Sequence, residues 1–222
     1  MKRLLLPCLL IFVLLSGCAS LQAKREVIDN TLYSSSNPKI QVKVSPEFKY
    51  LGEIKDTGDR QADSSTRMLT HRAKWYVFVV SDASKVNRAV SIRIERTETY
   101  YVSDLFSYVK SSYERGTCEL GGRNFQYCSR LIYPGMNSPV TRFVSDQGYV
   151  LPRSVLSKSY KKVYGAKGNI LVDITYLEVP PISGYVCNSW APNSTLTHSQ
   201  REYIEQFKRN SETSFKILKS SY

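Results

Sequence analysis

The sequence predicts an α+β fold: a mostly antiparallel β-sheet packed by a long C-terminal α-helix. Three observations carry this. Apolar and polar residues alternate at period two in several segments between Lys39 and Val179. Pro, Gly and Asn interrupt those segments at turn spacing. The longest stripe of helical period, Ile204, Phe207, Ser211, Phe215 and Leu218, lies at the C-terminus. It follows Thr197-His198-Ser199-Gln200, the capping-box pattern that opens a helix.

The chain opens on Lys2-Arg3 and an apolar run, Leu4–Leu15, of 12 residues broken only by Pro7. A membrane-spanning helix needs about 20 residues. A basic start, a short apolar middle and a small-residue cut site are those of a secretory signal peptide over residues 1–17. The tetrapeptide Leu15-Ser16-Gly17-Cys18 resembles the lipobox of bacterial lipoproteins. The resemblance covers residues 1–18 and implies cleavage before Cys18, a diacylglyceryl group on its thiol and acyl chains such as palmitate. Ala19 and Ser20 lack the Asp that retains Gram-negative family members at the inner membrane. The resemblance therefore implies a lipid-anchored envelope protein, at the outer membrane in a Gram-negative cell and facing the periplasm. Each buried methylene contributes about 0.8 kcal/mol, so two or three chains anchor the protein without help from its surface.

Residues 18–37 read as a lipidated tether, since Ser34-Ser35-Ser36-Asn37-Pro38 is linker chemistry. Residues 38–222 read as one α+β globular domain. Ile40, Val42 and Val44 alternate with polar residues and mark a half-buried strand; Phe48–Ile54 is expected to be a second. Residues 56–66 read as an exposed loop. Lys74–Val80 is the strongest apolar strand, and Ala89–Arg96 returns beside it as a hairpin. Ser103 is placed to cap a helix through Tyr113 carrying Leu105, Phe106 and Val109, with a strand as the open alternative. Residues 124–133 and 169–179 read as strands, Val140–Val150 as a hairpin arm and 180–196 as a loop. In outline the order is similar to small α/β/α sandwiches of the PsbP/Mog1 type, an architectural likeness that carries no functional residue.

Removing residues 1–17 from 222 leaves 205, carrying 29 basic and 19 acidic residues, a net charge of +10. That charge favours anionic partners. Export argues against nucleic acid, and no block of five or six bases occurs. Three cysteines follow the anchor: Cys118, Cys128 and Cys187. A tight turn at Gly121-Gly122 pairs Cys118 with Phe125; a five-residue loop brings it opposite Cys128. A Cys118–Cys128 disulfide is expected on the longer loop.

Catalytic patterns are sparse. His71 and His198 are the only histidines, both read as structural or exposed. No Cys-x-x-Cys, Gly-x-Ser-x-Gly or phosphate-binding Gly-rich loop occurs, and no cofactor or metal set is evident. Ser-x-x-Lys at Ser36, Ser107 and Ser159 lacks the companion motifs of penicillin-binding enzymes. Glu95 and Glu98 fall on opposite faces of a continuous strand, and Asp173 interrupts an apolar one. Two readings result. One is a non-enzymatic binding or assembly module for an envelope protein, glycolipid or peptidoglycan, with Tyr185 and Trp190 as its contact loop. The alternative is an envelope hydrolase using Cys187, with His198, or a carboxylate such as Asp173.

Overall fold

A computed structural model describes residues 24–61, 68–135, 138–181, 190, 192 and 194–219, with backbone alone for 58–61, 68 and 69. The fold is α+β and mostly antiparallel. Among the described residues eleven strands form two sheets. The smaller contains β1 (Arg25–Ile28), β2 (Thr31–Ser34), β3 (Ile40–Val44) and β11 (Phe215–Leu218), in that spatial order.

The larger contains β4 (Lys49–Gln61), β5 (Met68–Asp82), β6 (Lys85–Thr97), β7 (Glu114–Leu120), β8 (Arg123–Ile132), β9 (Val155–Tyr164) and β10 (Ile170–Glu178). Its order is β4-β5-β6-β10-β9-β8-β7. The chain lays down three strands, crosses to the far edge, and returns until β10 pairs with β6.

Both faces of this sheet are covered, which explains why β10 is apolar almost throughout. Ile170, Val172, Ile174 and Tyr176 project to one side and join Leu32, Val42 and Val44 of the small sheet in the main core. Ile204 and Phe207 of helix α2 (His198–Thr213) complete that core, with Phe207 stacked on Tyr176 at 5.7 Å. Leu171 and Leu177 project to the other side. There Leu177 meets Val144 of helix α1 (Pro139–Asp146), and Leu171 meets Leu105, Phe106 and Val109.

Several expectations are corrected. Part of the expected tether is sheet: β1 and β2 form a hairpin on β3, turned by Asp29-Asn30 with φ of 47° and 55°. Asp and Asn tolerate these left-handed angles, as a two-residue hairpin loop requires. Strand β4 runs to Gln61, into the expected 56–66 loop. Val140–Val150 is not a hairpin arm; Pro139 sits in the first turn of α1, where its fixed φ suits a helix.

Residues 103–113 form a turn, not a helix. Asp104 Oδ1 accepts from Phe106 N at 3.0 Å, and Gln126 Oε1 accepts from Leu105 N at 2.9 Å. Such side-chain bonds compete with helix formation, yet the apolar residues are still buried. The C-terminal helix has 16 residues and stops before Phe215. Thr213 Oγ1 and Ser214 Oγ bond back to Asn210 O, and Phe215–Leu218 leaves as β11 along β3.

The Cys118–Cys128 disulfide does not form. Gly121-Gly122 makes the tight turn, so Cys118 lies opposite Phe125 and Cys128 opposite Arg115. Both are free thiols, and burial raises both above the ordinary thiol value.

Candidate functional site

The antiparallel register of β4, β5 and β6 gathers bases that are scattered in sequence. Lys55 lies opposite Lys74, and Arg72 lies opposite Arg96. Because side chains alternate, all four share the face that carries Tyr76 and Phe78 further along β5. Arg25, from β1, approaches the same place. Its Nε donates to Ser34 Oγ at 3.2 Å and its Nη2 to Asn37 O at 3.1 Å.

Together these five bases line a cleft of about 340 Å³, with Ser36, Asn37, Thr57, Ala73, Ile94 and Ile170. Among the described residues no carboxylate lines it. Glu53 stands one row away and pairs with Lys55 at 3.4 Å and Lys74 at 3.5 Å. Arg72 and Arg96 have neither an ion pair nor a side-chain hydrogen bond among the described residues. Burial, with the neighbouring Arg96 charge adding to it, lowers the Arg25 guanidinium from its ordinary value.

A larger cleft of about 550 Å³ near Arg88 and Tyr203 contains Glu178. That carboxylate is already satisfied, accepting from Tyr203 Oη at 2.7 Å, Asn210 Nδ2 at 3.1 Å and Tyr176 Oη. The two clefts therefore differ in kind: one has a hydrogen-bonded carboxylate beside its bases, and the other has bases with no described carboxylate.

Asp173 sits in a balanced network on the opposite face. Arg93 Nη2 lies 3.0 Å from Glu95 Oε2 and 3.9 Å from Asp173 Oδ2; Lys161 Nζ lies 3.9 Å from Asp173 Oδ2. Lys161 also donates to Tyr108 Oη at 2.9 Å and lies 4.5 Å from the Phe106 ring. Of this network Lys161 ties the 101–109 segment to the sheet.

The two histidines lie apart in different settings. His71 is buried, with Nε2 3.4 Å from Asp56 Oδ2, whereas His198 is exposed and pairs with Glu202 at 3.1 Å. Ser159 and Lys162 point to opposite faces of β9. Among the described residues no group of His, Cys, Asp and Glu is placed to hold a metal ion. No described helix is long and apolar enough to cross a membrane.

Trp190, expected in a contact loop, is buried. It is only 7% exposed, packs edge-on against Tyr203 at 5.7 Å, and accepts a hydrogen bond from Tyr113 Oη on its carbonyl. Cys18, Tyr185 and Cys187 lie outside the described residues. No family model matches this sequence, and neither does any curated protein or solved structure.

Sequence reasoning missed the cleft because its bases span residues 25 to 96. One signal was legible: Arg72 and Lys74, two apart in a strand, must share a face.

Proposed function

We propose that this protein is a lipid-anchored cell-envelope module, non-enzymatic, that binds or assembles with an anionic envelope partner. The proposed anchor is Cys18, and the partner classes are an acidic envelope protein, a glycolipid or peptidoglycan. The observation that carries the reading is the cleft of five bases with no described carboxylate in its lining. Surplus like charge in a concavity is costly to gather, and an anionic partner offsets that cost. The lipid supplies membrane affinity by itself, which leaves the basic cleft available for a partner.

Crosslinking the native protein in its own cells tests this. The wild type is expected to capture one defined envelope component, and Arg72→Glu/Arg96→Glu is expected to lose it. Equal capture by both forms excludes the cleft as the binding site.

A further inference from the structure

The cleft departs from an ordinary basic surface in three ways. First, Arg72 and Arg96 face each other directly across the ladder. Like charges in that position destabilise a sheet, and a solvated surface gains nothing from placing them there. Second, a third guanidinium is brought to them from a different sheet. Arg25 is held by Ser34 and Asn37 although the position brings it close to Arg96. Third, the lining is not wholly polar: Ala73, Ile94 and Ile170 contribute apolar surface beside the bases.

The chemistry of the bases narrows the ligand. Guanidinium is a planar fork of donors that matches phosphate and carboxylate oxygens in bidentate geometry. A carboxylate has two oxygens and one charge. A phosphomonoester carries about −1.5 to −2 charge and three acceptor oxygens, which matches three guanidiniums. A space of about 340 Å³ holds more than phosphate alone, so a sugar-sized carrier fits beside it against the apolar lining.

Resting on the binding reading above, we infer that the cleft is a phosphomonoester site, with Arg72 and Arg96 as its principal ligands and Arg25 closing it from the β1–β2 hairpin. Ligand and fold are then linked: the anion relieves the Arg72–Arg96 repulsion and ties the hairpin to the large sheet. The phosphate has two possible carriers, a soluble molecule or a membrane headgroup. Arg25 is seven residues from Cys18, so an extended linker reaches about 25 Å from the anchor at ~3.5 Å per residue. Both carriers lie within that range.

Thermal unfolding of the full mature chain tests the inference, with glucose 6-phosphate as soluble probe and glucose, acetate and chloride at matched ionic strength as controls. Flotation on phosphatidylcholine vesicles, with and without phosphatidic acid, is the second arm, performed on the non-acylated Cys18→Ser mature chain. The phosphomonoester is expected to raise the melting temperature while the controls do not. Arg96→Gln is expected to weaken binding about ten- to a hundred-fold, the loss of one or two charged hydrogen bonds, and to raise the melting temperature of the ligand-free protein. That second effect is opposite to what a structural arginine shows. Arg209→Gln, a change on the exposed face of α2, is expected to leave the response intact.

A response to glucose 6-phosphate identifies a soluble carrier, and flotation confined to phosphatidic acid vesicles identifies a headgroup. Equal shifts with acetate or chloride, or an unchanged response in Arg96→Gln, overturn the phosphate assignment. If the charge-reversed double variant nevertheless loses its partner in cells, the binding reading survives with a different anion.

Discussion

Lys158 shows how much a single charged residue can be asked to do inside this protein. Its side chain is 3% exposed and lies on the sheet face covered by α2. Glu114 pairs with it at 2.9 Å and Glu212 at 3.1 Å, while the Tyr127 and Tyr160 rings lie 5.0 and 5.6 Å from its ammonium. Burial works to lower its pKa, but Tyr160 and the two carboxylates more than offset that and hold it above the ordinary lysine value of 10.5. Its contribution to stability is therefore complete below 10.5 and lost as pH rises through the raised value. Glu114 behaves oppositely. Burial works to raise it, and Lys158 more than offsets that, leaving it below 4.5. Its contribution is present above 4.5 and lost as pH falls through the depressed value. Lys158→Met keeps the stem against the two rings and removes the charge. It is expected to cost about 2 kcal/mol near neutral pH, since Glu114 retains Lys208 at 3.6 Å. Denaturant unfolding from pH 3 to 11 is expected to show weaker pH dependence at both ends; an unchanged profile excludes the linkage. Trp190 gives the complementary lesson. A tryptophan in a Pro-rich loop reads as a contact or as core equally well, and only the position of Tyr203 decides it.

At the scale of elements, legibility followed the source of each element's stability. Strands β3, β5, β6 and β10 were legible because burial of alternate residues writes itself into the sequence. The 103–113 segment and β11 were not. Their apolar spacing satisfies a helix, and the outcome is set by side-chain bonds from Asp104 and Gln126 and by an open edge on β3. The β7–β8 hairpin shows the same dependence on distant partners. Gly121 and Gly122 both have positive φ, at 58° and 75°. A Cβ on Gly122 meets open space, whereas one on Gly121 falls 2.7 Å from Ile217 Cγ2 and 2.9 Å from Ile217 O. Gly122→Ala is expected to cost about 1 kcal/mol of backbone strain. Gly121→Ala carries the same strain and must also displace β11, so a loss of about 3 kcal/mol is expected. Calorimetry of the two variants separates a purely local turn effect, which predicts equal losses, from a contact between hairpin and small sheet.

For the whole molecule the decisive feature is that the segment nearest the expected anchor belongs to the fold. In sequence, residues 25–34 look like part of a spacer because Ser34-Ser35-Ser36-Asn37-Pro38 is linker chemistry. In space β2 lies between β1 and β3, and Leu32 is fully buried in the main core. Asn30 fastens the hairpin turn by donating to Ser45 O at 3.2 Å and Phe48 O at 2.6 Å. Removing the hairpin exposes the Leu32 site, worth about 1.5–3 kcal/mol for the side chain alone. It also frees one edge of β3 and removes Arg25 from the cleft. A chain beginning at Lys24 is expected to unfold cooperatively at the temperature of the full mature protein, while one beginning at Pro38 is expected to lose several degrees and any phosphate response together. Equal melting temperatures for the two truncations disprove a structural role for the hairpin. A destabilised Pro38 form that still responds to phosphate disproves the assignment of Arg25 to the site. The described fold thus includes Arg25–Ser34, a stretch that the linker-like composition assigns to a spacer.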